Sequence, residues 1–152
     1  MACAGLTWPP PGPSLFAMSA PLPITAIAHI GLRVSDLATA REFYRGLGFR
    51  FIAGPIGPEP VAIMRHPSGV EINLILNGKP DEGTNILMDM ADKHCGYTHV
   101  ALAVDDIGTV EAALRNAGIV ITEGPVTFDT GAVALFIRDP DRNVIEFNQG
   151  AA

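Results

Sequence analysis

A chain of 152 residues, 48% hydrophobic and 17% charged, has room for one packed domain or two half-domains sharing a core, and its composition is not that of a disordered protein. Its net charge of −6 argues against nucleic acid or an anionic membrane surface as main partner, because both reward clustered Lys and Arg and the ten basic residues here are scattered. Two cysteines, Cys3 and Cys95, make no disulfide framework or CxxC site, and no apolar stretch is long enough to span a bilayer; a reducing, cytoplasmic setting is expected.

In chain order, residues 1–23 hold six prolines and no charged side chain. They read as a flexible or polyproline-like tail, and without a basic n-region they do not read as a secretory signal. A first module is expected over 24–78. Its alternating segment Ile24–Val34 has the period of a half-buried strand, and Ser35-Asp36 then suits a helix start. Leu37, Ala40, Phe43 and Leu47 follow at helical spacing, and Gly48 sits where a left-handed cap is wanted. Three strand-like segments, Arg50–Ala53, Val61–Arg65 and Val70–Leu76, complete the module. A Gly- and Asp-containing linker over 79–96 leads to a second module over 97–150, with a strand at Tyr97–Val104 and Asp105-Asp106 as cap. Its helix carries Ile107, Val110, Leu114 and Ala117, Gly118 ends it, and strands are expected at Ile119–Thr122, Ala132–Arg138 and Asn143–Asn148.

The two modules are copies of each other. Shifted by about 70 residues, in the manner of internal repeats, Ala28–Leu37 falls on Thr98–Ile107 and Leu47-Gly48-Phe49 on Ala117-Gly118-Ile119. Allowing an insertion in the second copy, Arg65-His66-Pro67 falls on Arg138-Asp139-Pro140, and Ile72-Asn73-Leu74 on Ile145-Glu146-Phe147. The expected fold is α+β, two tandem βαβββ modules forming a cup-shaped mixed sheet.

Strand parity assigns faces. Ile30, Leu32 and Val34 must cover the first helix, which turns His29, Gly31 and Arg33 to the other side; Val100, Leu102 and Val104 do the same to His99, Ala101 and Ala103. Glu146 and Asn148 lie opposite Ile145 and Phe147, and Glu71 and Asn73 opposite Ile72 and Leu74. The repeat-related positions 29, 73, 99 and 146 thus share the face away from the helices, beside small residues that leave space. His29, His99 and Glu146 make a metal-ligand set; two imidazoles and a carboxylate suit Fe(II), Ni, Zn or Mn and leave open positions for substrate. Tyr97 shares the face of His99 as a candidate proton donor, Arg33 lies at the rim as a candidate anchor for an anionic substrate, and Glu71 is a candidate base. Asn73 reads as a hydrogen-bonding group beside the metal. His66 and His94 are read as a turn residue and an exposed loop residue.

The duplicated βαβββ pattern, with HIGLRVSDL, HVALAVDDI and RDPDRNVIEF, resembles the vicinal oxygen chelate superfamily, which includes glyoxalase I, bleomycin-resistance proteins and extradiol dioxygenases. The resemblance spans about Ile24 to Asn148 and implies one divalent metal, Fe2+ or Ni2+/Zn2+/Mn2+, a small substrate that chelates it through vicinal oxygens, and a homodimer. It implies ligands at His29, His99 and Glu146, and departs from glyoxalase I at position 73, where that enzyme places a carboxylate and this chain has Asn73. The function expected is a metal-dependent enzyme leaning to extradiol-dioxygenase-like chemistry. The alternatives are a glyoxalase I-like lyase or isomerase and a metal-free bleomycin-resistance-type binding protein.

Overall fold

The computed structural model describes residues 22–79 and 83–151. The first module contains β1 (Ile30–Arg33), α1 (Leu37–Gly46), β2 (Arg50–Ile56), β3 (Val61–Arg65) and β4 (Glu71–Ile75). The second contains β5 (His99–Ala103), α2 (Ile107–Asn116), β6 (Ile121–Thr127), β7 (Val133–Arg138) and β8 (Val144–Gln149). Each forms a four-stranded sheet, ordered β1-β4-β3-β2 and β5-β8-β7-β6, with the first pair parallel and the others antiparallel. The expected α+β duplication is the fold observed. The tail expected over 1–23 lies outside the described residues except for Leu22 and Pro23.

Both helices start as their cap residues dictate. Asp36 accepts the Thr39 N–H at 2.8 Å, and Asp106 accepts those of Gly108 and Thr109 at 3.2 Å each, satisfying amides that have no intrahelical partner. Just past their C-termini, Gly48 and Gly118 take φ of 94° and 70°. Beyond Arg50–Ala53, β2 runs on to Ile56, and β6 likewise extends to Thr127, because each strand crosses register shifts and keeps pairing. Gly54 and Gly124 sit at those irregularities with φ of 127° and 89°, and a Cβ at either would fall 2.6 Å from backbone of the neighbouring strand.

At the front of the first module the expected strand is shortened. Pairing of β1 begins at Ile30, opposite Ile72, and residues 22–29 are exposed and outside any strand. Alternation in Ile24–Ala28 is therefore not the mark of a half-buried strand here: Ile24 and Ile27 are 80% and 84% exposed.

One continuous core joins the modules. Val34, Ala40, Tyr44, Phe49, Ile72 and Leu74 of the first meet Leu114, Leu135, Ile137, Ile145 and Phe147 of the second. Full burial of such aliphatic and aromatic side chains is worth roughly 1.5–3 kcal/mol each. Tyr44, absent from the expected helix stripe, is 1% exposed, and its hydroxyl donates to Asp139 Oδ2 at 3.1 Å across the module boundary. Burial pushes the Asp139 carboxyl above its usual 3.8, against the hydrogen bonds from Asn143 and Tyr44 that pull it down. Desolvation, reinforced by the Asp139 charge, raises the Tyr44 phenol well above its usual value. Nearby, the Ser35 N–H reaches both oxygens of Asp141 at 3.2 Å.

The connection is tied to the second module. Arg138 donates to Asp89 Oδ1 and to the Arg142 carbonyl, each at 2.9 Å, and Asn85 Nδ2 donates to the same carbonyl at 3.0 Å. Among the described residues no helix is long and apolar enough to cross a membrane.

Candidate metal centre

Register places the candidate residues. Ala101 stands opposite Glu146 in the β5–β8 pair, as Gly31 stands opposite Asn73 in the β1–β4 pair. His99 and His29 lie two residues before those alanine and glycine positions, so both histidines occupy the same place relative to positions 146 and 73. The expected face assignment holds: His29, Gly31 and Arg33 are exposed beside the more buried Ile30, Leu32 and Val34, and His99, Ala101 and Ala103 beside Val100, Leu102 and Val104.

In the second module the pair is assembled. His99 Nε2 lies 3.0 Å from Glu146 Oε2, and Asn148 Nδ2 donates to Glu146 Oε1 at 2.6 Å. Glu146 is only 6% exposed, and a carboxylate that far from water needs such partners on both oxygens. The histidine is fixed on its other sides too. Thr98 Oγ lies 2.9 Å from Nδ1, and the Phe136 ring meets the imidazole edge-on at 6.1 Å between centroids. Phe136 faces Glu146 across the β7–β8 ladder, which is how it reaches the histidine. Thr98 and Phe136 were not singled out from the sequence; for Phe136, register opposite a face-matched acid was the available signal.

The first module presents a different half. Asn73 replaces the carboxylate at the repeat position, and its Oδ1 is buried with no hydrogen-bond partner. A buried amide oxygen left unpaired costs about 1–3 kcal/mol. His29 is exposed just ahead of β1. Among the described residues no three His, Cys, Asp or Glu side chains come together as a metal-holding group, so the trio His29, His99 and Glu146 is not assembled within one chain.

Of the remaining candidates, Arg33 and Tyr97 line one cavity with His99, and Glu71 does not. Glu71 accepts two hydrogen bonds from Arg65, at 2.6 and 3.0 Å, and is committed to that bridge. Arg33 donates to Asn77 Oδ1 at 2.7 Å and to Glu59 Oε1 at 3.2 Å, forming a rim network. Tyr97 is 98% exposed. His66 closes the turn before β4, its Nδ1 accepting the Ser68 N–H at 3.2 Å, and His94 is exposed.

Comparison with known proteins agrees with the fold. The family model described as "Glyoxalase/Bleomycin resistance protein/Dioxygenase superfamily" matches residues 26–147. Lactoylglutathione lyase from Haemophilus influenzae is 35% identical over 130 residues, which cover 80% of this chain and 90% of that one. The structure of virulence protein STM3117 from Salmonella typhimurium is 30% identical, with a TM-score of 0.62 over 86% of this chain and all of that one, 100%. A glyoxalase/dioxygenase from Nostoc punctiforme, at 22% identity and a TM-score of 0.69 over 91% of this chain and 100% of that one, shares the fold.

Proposed function

For a chain that belongs to the Glyoxalase/Bleomycin resistance protein/Dioxygenase superfamily, we propose a divalent-metal-dependent enzyme whose small substrate offers two adjacent oxygens, with lyase or isomerase chemistry of the glyoxalase I kind. The single observation that carries this reading is the His99–Glu146 pair, 3.0 Å apart and oriented from both sides. An imidazole and a carboxylate on neighbouring strands have the donor chemistry of a hard-to-borderline cation site, and the unpaired Asn73 Oδ1 is a further neutral oxygen donor at the repeat-related position. These residues fit the metal implied by the family.

His99 and Glu146 would hold the metal, joined by His29 and the Asn73 amide from the other kind of sheet. One chain does not bring His29 to the pair, and in this reading two chains complete the site, each lending its first module to the second module of the other. A bound divalent cation supplies Lewis acidity, which favours negative charge developing on a coordinated substrate oxygen. The chain's own contribution is positional. Asn148 and His99 fix the Glu146 carboxylate, Thr98 and Phe136 fix the plane of His99, and Ala101 and Ala103 leave the face free for a substrate. With Glu71 bound to Arg65, no free carboxylate stands beside Asn73 among the described residues to act as base, so substrate deprotonation would fall to solvent or to Glu146 itself.

The extradiol lean gains no support from relatives named lactoylglutathione lyase. Metal analysis of protein purified without chelator, followed by a methylglyoxal/glutathione assay beside oxygen uptake with catechols, decides the matter. About one divalent ion per chain with lyase turnover is expected. Oxygen uptake would replace the lyase reading with ring cleavage, and failure to recruit any metal would leave a binding protein.

A further inference from the structure

The pseudo-two-fold that relates the modules is broken at one place. Repeat alignment pairs Tyr44 with Leu114 and Asp139 with His66. On one side of the axis the phenol of Tyr44 fills the space up to Asp139 and bonds to it at 3.1 Å. On the other, Leu114 and His66 both line an open cavity of about 560 Å³ beside the end of α1 and along α2. The walls are mostly apolar, with Leu47, Phe49, Val110 and Phe147 among them, and none of the described Asp or Glu residues lines it although the chain carries a net charge of −6. A cavity of this size and character is in the range that holds small ligands.

One polar group faces this space with its hydrogen-bonding capacity unspent. His66 Nδ1 is held by Ser68, whose N–H it accepts at 3.2 Å and whose Oγ lies 2.8 Å away, which leaves Nε2 as the free edge of the ring. Nε2 has no partner among the described residues. Gly48 keeps that edge of the ring clear, since a Cβ there would lie 3.1 Å from Nε2.

We propose that this cavity is a binding site for a small amphipathic acid, its apolar body against Phe49, Val110, Leu114 and Phe147 and its carboxylate accepting the Nε2–H of His66. His99 and Glu146 do not line the cavity, but Ala101 and Ala103 do, so it adjoins the candidate metal centre along β5, and its own polar anchor is His66.

Decanoate titrated into the full chain, followed by calorimetry and by NMR of the His66 ring and Leu114 methyls, tests this. Saturable binding of one decanoate per chain is expected, with shifts at those two residues. His66→Asp keeps a turn acceptor, as Asp139 does in the other copy, while replacing the donor with a negative charge; it should weaken binding at least about tenfold. Ala113→Phe fills the cavity from an exposed helix position and should do the same without disturbing the core. Binding that does not saturate, or parent-like affinity in either folded variant, overturns the proposal. So does decanoate acting only by splitting a dimer in sedimentation, which would identify a second copy as the occupant.

Discussion

The hydroxyl of Tyr44 and the carboxylate of Asp139, 95 positions apart in the chain, form the one buried side-chain hydrogen bond among the described residues that ties the first module to the second. Tyr44→Phe keeps the ring and removes that bond. It should cost about 1.5–3 kcal/mol, the range for a hydrogen bond to a charged group, and thermal or urea unfolding measures it. A loss below half a kilocalorie would mean that water replaces the phenol.

Asp139 also makes a pH signature. Its folded-state pKa lies above the unfolded 3.8, so the native state holds the proton more tightly than the unfolded chain does. Its contribution to stability is therefore fully present below about 3.8 and is lost as pH rises through the folded value. Asp36, Asp89 and Asp106 are lowered by hydrogen bonds and act in the opposite sense, losing their contribution as pH falls below their unfolded values. Subtracting the two melting profiles isolates the first effect: relative to Asp139→Asn, the parent should lose stability on going from pH 3.5 to 6. A flat difference would remove burial as the cause.

Asn73 carries a cost that the fold does not recover. Replacing it by Leu removes the unpaired Oδ1 from a half-buried strand position, and should raise stability by about 1 kcal/mol while weakening metal binding. Calorimetric metal titration and thermal melting, run on the same preparation, read both effects. Stability and metal affinity falling together would show that Asn73 serves the fold instead.

Subunit mixing tests the sharing of the site. His29→Ala and Glu146→Gln should each lose metal affinity by about tenfold or more when pure. Refolded or exchanged together, they should regain it, because a mixed dimer has one site with the intact His29 of one chain and the intact His99 and Glu146 of the other. Mixtures that bind no better than either parent would place all the ligands within single chains.

Much of this was legible in the sequence because duplication supplies its own control. Matching Ala28–Leu37 to Thr98–Ile107 fixed both the strand-helix boundaries and the parity that turns His29 and His99 to one face. What escaped was everything set by contacts between modules. Tyr44 does not belong to the helical stripe of Leu37, Ala40, Phe43 and Leu47, and only the position of Asp139 in the other copy explains its burial. Glu71 looked free by parity, yet parity is silent about Arg65, its cross-strand neighbour. The strand expected from Ile24 failed for the same kind of reason: alternation describes a capacity to pair, and β4 offers partners only from Ile30 onward.

The bridge from Asn85 and Asp89 to Arg138 and Arg142 bears on how two copies would come together. A slack tether lets paired halves trade freely between molecules, and assembly then depends steeply on concentration. Here the connection from Asn85 onward is stapled to its own second half, which limits the neighbours the first half can choose. Cutting the staple with Asp89→Ala would widen that choice, and the population of higher assemblies would grow with it.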